Sequence, residues 1–251
     1  LTRFAQTHIH AAISMPTAVG SPIARGIVDI RHQNEVIARA CADFPGVFPI
    51  GLALIEERFG KLGIEEAEKA MSELGLVGIV GHPPIAEWCI PFVEAAAARE
   101  GLVNLHMHNP LMDKIAAIFP HCTFISHAST WGAENLAKHD NVFFEVVQYP
   151  DGPNSQWDFA WFADKVGRER LIFGADLPYY DYRVLQKTIE EAPIDDDLKD
   201  RIAHKNLAAL IKRFNPEWSL PEAPPKEVRV YDPEELWAVN PDNPVRLTVF
   251  A

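Results

Sequence analysis

Residues 47–55 read Val-Phe-Pro-Ile-Gly-Leu-Ala-Leu-Ile, an almost unbroken apolar run that is followed by two glutamates. A strand covered by helices on one face and by other strands on the opposite face is nearly continuously apolar, as in parallel sheets. A helical pattern follows, because Ala67, Ala70, Met71 and Leu74 recur on one face while charged residues occupy the other. A buried strand followed by an amphipathic helix predicts one unit of a parallel α/β sheet.

The same alternation extends along most of the chain in both directions. We predict seven strands, at Ile9–Met15, Val47–Ile55, Val77–Val80, Leu102–His106, Cys122–His127, Val142–Val147 and Arg170–Gly174. We predict helices at Asp29–Asp43, Ile64–Leu74, Pro91–Glu100, Pro110–Ile118, Trp131–Lys138, Trp157–Val166, Tyr182–Glu191 and Leu198–Arg213. Repeated strand–helix units predict an α/β fold, and seven in succession favour a (β/α)₈ TIM barrel that lacks its first strand or is truncated there.

The composition changes after Phe214. Seven prolines punctuate the last 37 residues, at Pro216, Pro221, Pro224, Pro225, Pro233, Pro241 and Pro244, and this spacing excludes a long helix. We therefore predict a barrel domain at 1–214 and an irregular Pro-rich C-terminal extension at 215–251, with short β-like pieces at Glu227–Tyr231 and Arg246–Phe250. The extension is expected to lie on the barrel surface or on a partner subunit, so a homodimer is one expectation.

Charge and cysteine content narrow the class of protein. The net charge of −12 would repel a phosphate backbone, so a small-molecule substrate is expected rather than nucleic acid. The cysteines are three in number and far apart in apolar surroundings, which is typical of reduced thiols and predicts a cytoplasmic location. The sequence has no apolar run of the ~20 residues that span a bilayer and no signal-peptide profile, so no membrane association is expected. Leu1 stands where Met would start a protein, and the chain is expected to begin inside a longer one.

Ligand-type side chains follow three of the predicted strands. His106 ends the strand at 102–106, His127 ends the strand at 122–127, and Asp176 follows the strand at 170–174. Catalytic groups of a parallel barrel project from the carboxyl ends of its strands, so these three are expected at one rim. Two imidazoles and a carboxylate suit one divalent cation, of which Zn²⁺ is the predicted one. Taken singly, each residue also has a structural interpretation, as a hydrogen-bonded rim histidine or a turn-capping aspartate.

Three segments resemble a known family. Leu-His-Met-His at 105–108, Phe-Ile-Ser-His-Ala at 124–128 and Phe-Gly-Ala-Asp-Leu-Pro at 173–178 resemble strand motifs of the amidohydrolase-related family that includes aminocarboxymuconate-semialdehyde decarboxylase. The resemblance covers residues 1 to about 214. It implies that His106 is a metal ligand, that Asp176 binds metal or handles a proton, and that His127 binds metal or orients the attacking water. A metal in such a site lowers the pKa of bound water, and a nearby base accepts the proton.

The chain departs from the family pattern at the first strand. The family places His-x-His or Glu-x-His there, and the only such pair near the start of this sequence is His8-Ile9-His10. Because the residues that follow resemble the second strand, the first strand is expected upstream of Leu1 or absent; the alternative is that His8 and His10 are ligands. No lysine follows the predicted strand at 77–80, where a second metal would need one, so a single metal is expected.

Three further side chains are candidates for substrate binding. His82 and His108 follow the predicted strands at 77–80 and 102–106, and each is either a pocket residue or a solvated residue beyond the rim. Arg31 has a guanidinium suited to a substrate carboxylate, and a surface ion pair is the alternative.

Three functions are compatible with these motifs. The first is a metal-dependent hydrolase in which activated water attacks an ester, lactone or amide, with His127 and Asp176 moving protons. The first alternative is a non-oxidative decarboxylase, or carboxy-lyase, acting on a small carboxylate. The second alternative is a non-catalytic barrel that has lost its first-strand ligands. The motifs do not separate the hydrolase from the decarboxylase.

Overall fold

The computed structural model describes residues 4, 8–16, 24–81, 85–106, 109–147, 157–176 and 180–223. The chain forms two compact units. The larger one, Ala11–Leu220, contains the sheet, and the smaller one joins Leu1–His10 to Pro221–Ala251. Within the smaller unit, His10 Nδ1 lies 2.7 Å from the carbonyl oxygen of Pro221. The β-like pieces predicted in the C-terminal extension lie outside the described residues, and the predicted boundary after residue 214 stays a prediction.

The larger unit is built on a parallel sheet. Its strands are β1 (Ala53–Leu54), β2 (Gly78–Gly81), β3 (Leu102–Leu105), β4 (Thr123–His127), β5 (Val142–Val146) and β6 (Leu171–Phe173), and they pair in chain order. A doubly wound sheet reverses its order at a switch point, whereas a barrel wall does not. The predicted α/β barrel class is therefore confirmed.

The predicted strand Ile9–Met15 pairs beside β1 at a single isolated bridge. Ser14 bridges Gly51 in parallel, with Ser14 N donating to Ile50 O and Leu52 N donating to Ser14 O. The next amide on the same side of β1, Leu54 N, donates instead to Asn34 Oδ1 at 2.8 Å. The Asn34 side chain thus supplies the acceptor that a longer strand would have supplied.

Helices alternate with the strands as predicted, with boundaries that differ by a few residues. They are α1 (Ile27–Asp43), α2 (Gly60–Glu73), α3 (Ile90–Ala97), α4 (Asn109–Ile118), α5 (Thr130–Leu136), α6 (Phe159–Val166), α7 (Tyr182–Glu191), α8 (Asp196–Asp200) and α9 (Asn206–Phe214). Short 3₁₀ helices at Glu57–Phe59 and Glu87–Cys89 precede α2 and α3, and a π-helical turn at Arg201–Lys205 joins α8 to α9. No helix in the described part of the chain is long and apolar enough to cross a membrane.

The two faces of the sheet bury different clusters. One face packs against the helices, where Phe124 and Phe144 belong to the same cluster as Phe92. The opposite face is the interior, where the strand residues Val80, Leu102, Ile125, Phe143 and Ile172 form one cluster. The same cluster includes Ile30 of α1, Leu210 and Ile211 of α9, and Trp218. Because side chains alternate along a strand, the residues two positions beyond this apolar layer also face the interior, nearer the carboxyl ends.

Candidate active site

Polar side chains occupy two neighbouring interior positions beyond the apolar layer, and a glycine occupies a third. His127 follows Ile125 by two residues, Glu145 follows Phe143 by two, and Gly174 follows Ile172 by two. His127 and Glu145 are directly paired residues of β4 and β5. The carboxyl edge of the sheet therefore carries imidazole and carboxylate groups above an apolar floor.

The structure brings the two predicted strand-end histidines together. The ring centroids of His106 and His127 are 4.5 Å apart, with the rings tilted at 59°. Backbone hydrogen bonds fix both positions, since His106 N donates to Gly81 O at 3.0 Å and Ala128 N donates to Glu145 O at 2.8 Å. His106 is half-buried, and the His127 side chain is 40% exposed. A solvent-facing imidazole held on a rigid strand end is able to exchange protons with a bound molecule.

Glu145 is a site residue that sequence reasoning missed. Its Oε2 lies 3.6 Å from His127 Nε2, and its side chain is only 17% exposed. Burial raises the pKa of the Glu145 carboxyl, the neighbouring His127 lowers it, and the negative charge of Asp176 raises it again. The available signal was a single charged residue inside the otherwise apolar run Val-Phe-Phe-Glu-Val-Val at 142–147.

Asp176 lies three residues beyond β6 in an unusual backbone conformation. Its φ of 46° is in the left-handed region, which non-glycine residues rarely adopt. Such strain is concentrated at functional sites, where surrounding structure holds it in place. The negative charge of Asp176 raises the pKa of Glu145, so the two carboxyl groups are near each other. His106 contacts His127, and His127 faces Glu145. The four side chains therefore follow one another along the ends of neighbouring strands.

The donors of this edge suit a divalent cation in kind. Imidazole nitrogen and carboxylate oxygen are ligands that Zn²⁺ accepts, and carboxylate oxygen suits Mn²⁺ as well. Within the residues that the structure describes, no three His, Cys, Asp or Glu side chains are placed to hold one metal ion. The described part of the edge therefore offers at most two protein ligands, and the roles predicted for His106, His127 and Asp176 stay predictions.

The remaining predicted site residues lie elsewhere or outside the described ranges. His82 and His108 fall on residues that the structure does not describe. Arg31 lies on α1 and pairs with Glu66 of α2, its Nε donating to Oε2 at 2.9 Å, which is the ion pair given as the alternative. Its role in substrate binding stays a prediction. His8 is exposed, with φ of 57°, and the ligand role considered for His8 and His10 stays a prediction.

Comparison with known proteins yields one family and several solved structures. A family model described as "Amidohydrolase" matches residues 6–213. No curated protein matches the chain.

Three similar solved structures share the fold at low sequence identity. A putative amidohydrolase from Staphylococcus aureus is 16% identical, with a TM-score of 0.66 over 83% of this chain and 89% of that one. 5-Carboxyvanillate decarboxylase from Sphingomonas paucimobilis is 16% identical, with a TM-score of 0.62 over 82% and 80%. A dihydroxybenzoic acid decarboxylase from Polaromonas sp. JS666, solved with manganese and the inhibitor 2-nitroresorcinol, is 14% identical, with a TM-score of 0.57 over 82% and 79%.

Proposed function

Because the chain belongs to the amidohydrolase family, we propose that it is a metal-dependent, non-oxidative decarboxylase of a small carboxylate. Family membership confirms the resemblance found in the sequence and the expectation of an enzyme of hydrolase or carboxy-lyase type. The sequence favours hydrolysis as the main reaction and decarboxylation as the alternative. Two of the three similar structures are decarboxylases, which supports the second reaction better than the first.

The observation that carries the proposal is the contact between His106 and His127 at the carboxyl edge, with Glu145 and Asp176 beside them. Decarboxylation breaks the bond between the carboxylate carbon and its neighbour, CO₂ leaves, and the electron pair stays on the neighbouring carbon. That carbon then takes up a proton. His127 is the proposed proton carrier, because it is exposed at the edge and imidazole is the commonest general acid and base in enzymes.

His106 and Asp176 are the proposed ligands of one divalent cation. Bound there, such an ion would attract oxygen atoms of the substrate and stabilise negative charge during the reaction. His127 and Glu145 remain free for proton handling in this assignment. The manganese in the Polaromonas neighbour supports a divalent ion of this kind, and Zn²⁺ stays a prediction.

The substrate proposed for testing is a hydroxylated aromatic carboxylate, after the names of the two decarboxylase neighbours. The full chain is freed of metal, reloaded with Mn²⁺ or Zn²⁺, and offered 5-carboxyvanillate, dihydroxybenzoates, and a panel of lactones and esters. CO₂ release and the decarboxylated product are measured. We expect turnover that a chelator abolishes, that His106→Ala and Asp176→Asn lose, and that the exposed control His121→Gln retains.

Other outcomes would overturn the proposal. Hydrolysis of the lactones or esters without CO₂ release would assign the chain to the hydrolases of its family. Folded protein that binds no metal and turns over neither class would favour the non-catalytic barrel.

A further inference from the structure

Gly174 leaves a space that the Glu145 side chain fills. A Cβ at position 174 would lie 2.4 Å from Glu145 Cγ and 2.5 Å from its Oε1, closer than real Cβ contacts come. The backbone cannot easily move away, because Gly174 N donates to Val146 O at 2.8 Å. Any larger residue at 174 would therefore displace the carboxyl group of Glu145.

On its other side, Glu145 faces His127. The two residues are paired across β4 and β5, and Ala128 N donates to Glu145 O, so the backbones are held in register. The carboxylate Oε2 lies 3.6 Å from the imidazole Nε2. With Gly174 behind it and His127 in front of it, the carboxyl group has a fixed position against one particular ring nitrogen.

We propose that Glu145, seated against Gly174, is a positioning residue that holds the His127 imidazole with Nε2–H directed at its carboxylate. In a neutral imidazole only one nitrogen carries the proton, and a carboxylate partner selects which one. Nδ1 is then left to take up a proton from a bound molecule and to return it to the carbon that CO₂ leaves. The role of His127 in proton transfer rests on the proposed function, whereas the orientation of its ring does not.

The test is a spectroscopic signature of the ring, measured on the ¹⁵N-labelled full chain without substrate. An unbonded N–H on an imidazole that is 40% exposed exchanges with water too fast to be seen. A carboxylate partner slows that exchange. We expect a protected Nε2–H signal that disappears in His127→Gln, which assigns it. The signal is expected to vanish in Glu145→Leu and Gly174→Ala, and to persist in Glu145→Gln, whose amide oxygen is also an acceptor for the proposed Nε2–H.

Gly81→Ala is the matched control for Gly174→Ala. Its Cβ would lie 2.8 Å from Leu105 Cδ2 and 2.9 Å from Ile55 Cγ1, so it is crowded at a strand end by apolar side chains only. The His127 signal should survive there. Absence of the signal in the unmodified chain, or its persistence in Glu145→Leu, would overturn the inference. If Gly174→Ala does not fold, Glu145→Leu decides alone.

Turnover separates this inference from the proposed function. Loss of a residue that orients a catalytic group typically costs about 10–100-fold in activity, so we expect kcat of Glu145→Leu to fall by that factor with KM little changed, and Glu145→Gln to recover part of it. If the unmodified chain has no decarboxylase activity but shows the protected signal, the proposed function fails and the orientation of His127 stands. If it decarboxylates without the signal, only the role of Glu145 is wrong.

Discussion

Arg170 provides a sharp test of what holds the amino-terminal side of the sheet together. Its guanidinium donates to the carbonyl oxygens of Val166 at 2.5 Å, His139 at 2.6 Å and Ala137 at 2.7 Å. These carbonyls lie at or just beyond the last turns of α5 and α6, where helix geometry leaves them without partners. One side chain therefore ties the ends of two helices to the start of β6.

The expected cost of removing it follows from those contacts. Hydrogen bonds from a charged donor contribute about 1.5–3 kcal/mol each. Burial lowers the pKa of Arg170, which shows that desolvation offsets part of the gain, so the lower end of that range applies. Three such bonds then predict that Arg170→Met lowers the free energy of unfolding by about 4–5 kcal/mol. For a domain of this size that corresponds to a Tm lower by about 10–20 °C.

The measurement is chemical and thermal unfolding followed by circular dichroism, with Arg168→Met as the matched control. Arg168 is two residues away but pairs with Asp195 and Asp197 on the surface. Exposed ion pairs contribute about 0–1 kcal/mol, so the control should change stability little. A loss below about 1 kcal/mol for Arg170→Met, or equal losses for both variants, would refute the reasoning.

Three further predictions concern single side chains. Burial raises the pKa of Cys41 to about 11, and it raises the pKa of Cys89 and Cys122 to the same value. We therefore expect iodoacetamide to alkylate the native protein slowly at pH 7.5, and mass spectrometry should show half-buried Cys41 reacting first. Equal rates at all three cysteines would contradict this. Asn34→Ala leaves a buried β1 amide without its acceptor and should cost about 1–3 kcal/mol in urea unfolding, whereas Asn135→Ala, on the surface, should cost less than about 0.5 kcal/mol. The hydrogen bond with His139 lowers the pKa of Asp113 from its ordinary 3.8, so the ionised carboxylate stabilises the fold above that pH and this stabilisation is lost as the pH falls further. The free energy of unfolding of the unmodified chain should therefore exceed that of Asp113→Asn by less and less below pH 3.8. A difference that does not depend on pH would contradict the assignment.

The parts of the fold that follow from periodicity were predictable from the sequence. Alternating apolar strands and amphipathic helices fixed the succession of units, and the expectation that chemistry lies at the carboxyl ends selected His106 and His127, which do contact each other. The single helix predicted at Leu198–Arg213 is interrupted by a π-helical turn, because local hydrogen-bond shifts leave no mark in an apolar period of 3.6.

Glu145 was not predictable by the same reasoning. It lies inside a strand rather than at its end, and only the register of β4 and β5 shows that it faces His127. The glycine that accommodates it is 29 positions away in the chain, so no local pattern links the two residues. The left-handed backbone of Asp176 was equally invisible, since aspartate is common in ordinary turns.

The amino-terminal side of the sheet is closed by residues that are far from it in the chain. Trp218 Nε1 donates to Gly46 O at 3.0 Å, and Asn215 Nδ2 donates to Pro49 O at 3.0 Å, across separations of 172 and 166 positions. During synthesis, therefore, the earliest strands leave the ribosome long before their last partners exist. The apolar residues at this end of the sheet stay exposed until Trp218 has emerged. A chaperone would find the largest exposed apolar surface during that interval.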